Sequence, residues 1–139
     1  MKGMERFPSH PARDMSMRSV TAVEAGDREG WLALFAPDGF VEDPIGPSPL
    51  NPTGEPHRGR DGIGAFFDNV ITQGRVEFDV TDSFACGNEC ANVATITTTF
   101  PDGARAIVDV VSTYRLDDDG RLASLRAYWE FERMRFEPA

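Results

Sequence analysis

From Val76 onward the chain reads as strand and little else. The segments VEFDVTDSFA, ANVATITTTF, ARAIVDVVSTYRL and RLASLRAYWEF are dense in β-branched and aromatic residues, and the turn-forming CGNEC, PDG and DDDG separate them. This pattern predicts strands near 75–85, 90–100, 104–116 and 121–134, antiparallel and unusually long. Strands of that length twist, so the sheet they form is expected to curl. Upstream the period is helical. Met15, Val20 and Val23 share one face of a helix over Arg13–Ala25, which Gly26 ends. Asp27 is placed to cap a second helix carrying Trp31, Leu32, Leu34 and Phe35, and Pro37-Asp38-Gly39 then turns into a short strand, Phe40–Glu42. A loop with prolines at 44, 47, 49, 52 and 56 leads to a third helix, Arg60–Ile71, with Ile63, Phe66, Phe67 and Val70 on its buried side. Three helices followed by one curved antiparallel sheet is an α+β order, with the sheet wrapped around the helices to leave a cone-shaped, apolar pocket.

The chain has 139 residues, enough for one core, and the expected organisation is a loose leader over residues 1–12 and a single domain over 13–139. A net charge of -9 argues against nucleic acid and against anionic membrane surfaces as partners, since both need clustered Lys and Arg. No stretch approaches a membrane span, and the N-terminus lacks the apolar core of a secretory signal, which predicts the cytoplasm. Two reduced thiols are expected there at Cys86 and Cys90, although a bridge across the hairpin between them is geometrically conceivable. His10 and His57 stand apart from any metal-type cluster, so no metal is implied.

One motif points to chemistry. In FVEDPIG, residues 40–46, an acidic pair sits at a strand end, before a proline that holds Asp43 in an extended conformation. Alternation sends Glu42 and Asp43 to opposite faces, so one acid turns inward. A carboxylate at an apolar wall has its charged form disfavoured, and its raised pKa suits it to proton transfer. The plain alternative is a turn-forming Asp beside proline. GRDGIG at 59–64 follows no strand and is not a dinucleotide fingerprint, DDDG at 117–120 lacks the alternating ligands of a calcium loop, and no GxSxG elbow occurs.

The run EAGDREGWLALFAPDGFVEDPIG, then HRGRDGIGAFF and VDVVSTYRLDDDGRLASLRAYWEF, resembles the ketosteroid isomerases (steroid Δ-isomerases) of the NTF2-like, SnoaL-like superfamily, in its actinobacterial branch, over roughly residues 13–135. The resemblance implies the cone-shaped NTF2-like fold, a homodimer formed through the outer face of the sheet, and no metal or organic cofactor. It also implies that Asp43 is the general base moving a proton from C4 to C6 of a 3-oxo-Δ5 steroid. The family pairs that base with an oxyanion hole of Tyr and protonated Asp. Here those two positions fall on Ser19 and Ser112, and two tyrosines that support the catalytic Tyr in one branch match Phe35 and Phe67.

Asp43 alone is a base without an electrophile. The serines with ordered water can stand in as weak donors, Tyr114 can reach inward from the same strand face as Ser112, or the reaction is a different one; equally, the serines are small fillers that enlarge the pocket and Tyr114 a packed strand aromatic. The substrate side of the pocket is assigned to Ser19, Phe66, Phe67, Val110, Ser112, Tyr114, Leu125 and Trp129. Three functions stand side by side. One is isomerase-like chemistry on a steroid or polycyclic ketone; another is non-catalytic binding of such a small apolar ligand. The third is epoxide hydrolysis or cyclisation, which needs a second acid, with Glu77 or Asp68 as candidates.

Overall fold

The structure, a computed structural model, describes residues 2–139. Helix α1 spans Pro11–Ala25, two residues ahead of the expected start, because His10 caps it through Nδ1, which accepts from Ala12 N at 3.1 Å, and Pro11 fits the first turn. Gly26 ends it with φ 67°, the left-handed value that glycine adopts without strain. Helix α2, Arg28–Leu32, is capped by Asp27, whose carboxylate accepts from Gly30 N at 3.0 Å. Strand β1 runs from Phe35 to Glu42, β2 is His57–Arg58, and α3 is Gly59–Asn69. The long strands follow as β3 (Arg75–Cys86), β4 (Glu89–Thr99), β5 (Arg105–Leu116) and β6 (Leu122–Tyr128), with a short β7 at Arg135–Glu137.

The sheet order is β2-β1-β6-β5-β4-β3, with β7 also beside β5. It is mixed: β1 runs parallel to β6, while the other pairs of these strands are antiparallel. Two expectations are corrected here. The second helix stops at Leu32 and Phe35 already belongs to β1, since a register shift between Phe35 and Phe40 absorbs Pro37-Asp38-Gly39 without ending the strand. The final strand breaks after Tyr128, so β5 pairs with β6 over Val111–Leu116 and with β7 over Arg105–Ile107, leaving Val108–Val110 between them.

Residues 2–10 are not a loose leader; Met1 lies outside the described residues. Lys2 N donates to Phe78 O at 3.1 Å and Lys2 O accepts from Val80 N at 2.9 Å, so the segment lies along the edge of β3. Met4 is 1% exposed and packs with Val80, Ala94, Val110 and Ala127, against which Phe7, Met17, Ile96 and Trp129 also lie. Gly3, at φ 92°, permits that approach, because a Cβ there would stand 1.9 Å from Val80 O. The larger core lies under the helices, where Trp31 packs edge-on to Phe35 and against Phe66 and Phe67. On the outer face, Phe84, Val93, Val111 and Tyr128 are exposed.

Candidate functional site

The two acids of FVEDPIG part as alternation requires. Glu42 stands opposite Arg126 in the β1–β6 register and pairs with its Nε at 2.8 Å. Asp43, joined to Pro44 by a cis peptide, turns its carboxyl inward, and Oδ1 accepts from Trp129 Nε1 at 2.6 Å. Asp43 is half-buried as a residue, with its carboxyl turned away from bulk water toward Trp129. Burial pushes its pKa up to about 6, and the Trp129 hydrogen bond opposes only part of that rise. A carboxyl poised near neutrality, held by one neutral donor, has the protonation equilibrium of a proton carrier and not that of an ion-pair partner.

The sheet register locates what lies across from it. Val41 and Glu42 pair with Leu125 and Arg126, and Ile45 N donates to Ala127 O at 3.1 Å, which sets Asp43 beside Ala127. Ala127 pairs in turn with Ser112, and Leu125 with Tyr114. Asp43 and Ser112 therefore stand two strands apart, about 10 Å between backbones, on either side of Ala127. Val110, Ser112 and Tyr114 alternate inward along β5 and are all buried. Asp43 is near enough to Tyr114 that its charge, together with burial as the larger cause, raises the phenol pKa and keeps the hydroxyl protonated.

Helix α1 covers this part of the sheet with Ser16 and Ser19, both buried. Ser19 Oγ accepts from Trp31 Nε1 at 3.0 Å. Leu125, Phe66 and Phe67 belong to the larger core with Tyr114, whereas Val110 and Trp129 belong to the cluster that includes Met4. Trp129 and Ile45 also line a groove of about 440 Å³ with Val110 and the outer-face residues Val93, Val111 and Tyr128; Asp43, Ser112 and Tyr114 do not line it. The two candidate second acids lie elsewhere: Asp68 pairs with Arg28 Nε at 2.9 Å and Glu77 with Arg75 at 3.3 Å, all exposed. Cys86 and Cys90 are both free thiols.

Sequence reasoning treated Trp129 as wall and Trp31 as core, and missed that both indoles are donors into the site. A buried indole N–H rarely goes unpaired, which is the one signal that pointed to a polar partner for each.

A family model for the SnoaL-like domain matches residues 17–125. The chain belongs to the SnoaL-like family. Among curated relatives, the steroid Delta-isomerase of Nocardioides simplex is 29% identical over 122 residues, 88% of this chain and 92% of that protein. Among solved structures, the Delta 5-3-ketosteroid isomerase from Mycobacterium sp. is 41% identical with a TM-score of 0.88, covering 93% of this chain and 100% of that one. RV0760c from Mycobacterium tuberculosis, solved in complex with estradiol-17beta-hemisuccinate, is 38% identical with a TM-score of 0.86, over 92% of this chain and 100% of that one. The SnoaL-like domain shares its curled sheet and helical cover with these relatives.

Proposed function

We propose that this SnoaL-like chain is a ketosteroid isomerase-like enzyme, in which Asp43 takes a proton from C4 of a 3-oxo-Δ5 steroid and returns it at C6. The observation that carries the reading is the Asp43 carboxyl itself: turned away from bulk water, free of any cationic partner among the described residues, held by Trp129 at 2.6 Å, with a pKa pushed up to about 6. Such a group is ionised at neutral pH and basic enough to accept a carbon-bound proton once the neighbouring carbonyl is polarised. The likeness to a steroid Delta-isomerase and to a Delta 5-3-ketosteroid isomerase supports the same substrate class. A second reading, steroid binding without turnover, is favoured by one observation: the positions of the family's two oxyanion donors are Ser19 and Ser112.

The test is the growth of conjugated-enone absorbance from a 3-oxo-Δ5 steroid. Turnover is expected, with kcat/KM rising tenfold per pH unit below about 6 and level above it, because only the carboxylate is a base. No turnover above a solvent blank, with steroid bound in calorimetry, would replace this reading by the second. Glu42→Gln is the matched control. Its ion pair with a part-exposed Arg126 is worth no more than about 1 kcal/mol, so the rate is expected to stay within about threefold and the acid limb to stay in place.

The resemblance also carries a homodimer. We infer that a second copy covers the exposed strip of Phe84, Val93, Val111 and Tyr128, whose area would otherwise face water.

A further inference from the structure

The smaller of the two apolar clusters is built differently from the larger. Its floor is a row across the sheet, Val80 paired with Ala94 and Ala94 with Val110, continued by Ala127 beside Asp43. These side chains are short, and of helix α1 only Met17 packs on them. What fills the space above the floor is Met4, 1% exposed, with Phe7 next to it. Trp129, the donor to Asp43, packs against the same cluster. The apolar space adjoining the base is therefore closed by the segment ahead of α1, and not by the helices that cover the larger core.

That segment is held lightly. Lys2 exchanges two backbone hydrogen bonds with Phe78 and Val80 on the edge of β3, Arg6 donates to Val80 O at 3.0 Å and to Thr81 O at 3.1 Å, and Arg13 Nη1 donates to Pro8 O at 2.7 Å. Lys2, Glu5 and Arg6 are exposed, and the segment's one regular element is a single turn, Met4–Arg6. Contacts that are few, at a sheet edge and open to water place a segment at the low end of local stability. Met4 suits a removable filler, since an unbranched thioether adopts many shapes and leaves no strong polar partner behind.

We propose that the segment Lys2–Pro8 is a built-in competitor for the ligand site: Met4 and Phe7 occupy the apolar space beside Asp43 and Trp129, and a flat apolar ligand enters by displacing them from the edge of β3. Closed and open forms are then in equilibrium, and only the open one binds. The apparent affinity is the intrinsic one multiplied by the open fraction, so whatever loosens a mostly closed segment strengthens binding by the same factor. Arg6, which touches no ligand, thereby sets the affinity. That the ligand is a steroid rests on the function proposed above, but the competition is read without turnover.

The probe is estradiol, a polycycle with no 3-oxo-Δ5 group to isomerise, mixed with the full-length chain and followed by tryptophan fluorescence. Arg6→Ala, which removes the bonds to Val80 O and Thr81 O, is expected to raise the association rate about fivefold and leave the dissociation rate unchanged. Lys2 and Asp79 are bridge partners, close enough for a disulfide. Lys2→Cys with Asp79→Cys, in a Cys86→Ser chain, should bind at least about tenfold more weakly when oxidised and regain its affinity in dithiothreitol. Bound estradiol should also strip hydrogen-exchange protection from the Val80 amide, whose acceptor is Lys2 O. Equal affinity in the oxidised and reduced tethers would make the segment a fixed wall and overturn the proposal, with any isomerase turnover left standing. Conversely, the expected shifts in a chain that isomerises no steroid would uphold the competitor and remove the isomerase. If the wild type binds no estradiol, binding by Arg6→Ala upholds the proposal, and failure there too ends it.

Discussion

Asp43→Asn is expected to lose about a thousandfold or more in isomerisation rate, in line with the removal of a general base, and to gain stability at the same time. The sign follows from the raised pKa. In the unfolded chain an aspartate titrates near its ordinary 3.8, in the folded one at about 6, so between these values the folded state holds more protons. Stability is then highest below pH 4 with respect to this group and falls as the pH rises through 6. The displacement corresponds to roughly 3 kcal/mol at 1.36 kcal/mol per unit. Asparagine keeps the shape and the acceptor for Trp129 Nε1 but carries no charge to desolvate. Its melting temperature should exceed that of the wild type at pH 8 by about 10 °C, and the two should converge at pH 4. Equal melting temperatures at pH 8 would mean that the carboxylate is well solvated, and the case for a poised base would go with it.

The same burial that makes Asp43 expensive to ionise explains which parts of this molecule a reader of the sequence can reach. Strands β3 to β5 are legible because their patterns are local: alternation over ten or more residues between unmistakable turns. Asp43 is legible as the acid of a short motif, VEDP, whose proline fixes the backbone beside it. Trp129 as its donor is not, since 86 residues separate the two and nothing in AYWEF distinguishes a donor indole from a packed one. The break between β6 and β7 is hidden for a similar reason. Residues 121–134 keep strand-like composition throughout, and only pairing with a shared β5 shows that the chain leaves the sheet at Trp129 and rejoins it at Arg135. Apolar spacing that continues through Phe35 predicts a helix there, while tertiary pairing with Leu122 decides for a strand. Ser16, Ser19, Ser83 and Asn92 are the extreme case. Each is unremarkable alone, and only the fold assembles them into buried networks.

Arg13→Ala is expected to cost about 3 kcal/mol, the scale of several buried acceptors losing their donor, and to free the segment that the sequence reads as a leader. Arg13 is 6% exposed, and its partners are all neutral: Nε donates to Ser83 Oγ at 2.9 Å, Nη2 to Ser83 O at 3.3 Å and Nη1 to Pro8 O at 2.7 Å. Ser83 passes the chain to Asn92 Oδ1 at 2.7 Å, Asn92 Nδ2 donates to Ser16 Oγ at 3.0 Å, and Ser16 returns it to Arg13 O. Truncation opens this ring at its only charged member and leaves Pro8 O without its guanidinium. Residues 2–10 then keep fewer anchors, Arg6 on Val80 O and Thr81 O among them. The urea midpoint should fall accordingly, and the Val80 amide, which donates to Lys2 O, should lose hydrogen-exchange protection beyond the global change. The effect reaches the site because Met4 and Phe7 pack in the cluster that includes Trp129. Water admitted there eases the desolvation of Asp43, so the acid limb of the pH–rate profile should move below 6. Arg13→Lys, retaining charge and one donor, should fall between the two proteins in each measurement. A midpoint, Val80 protection and acid limb all unchanged in Arg13→Ala would show that the N-terminal segment is held by Met4 and the β3 edge alone.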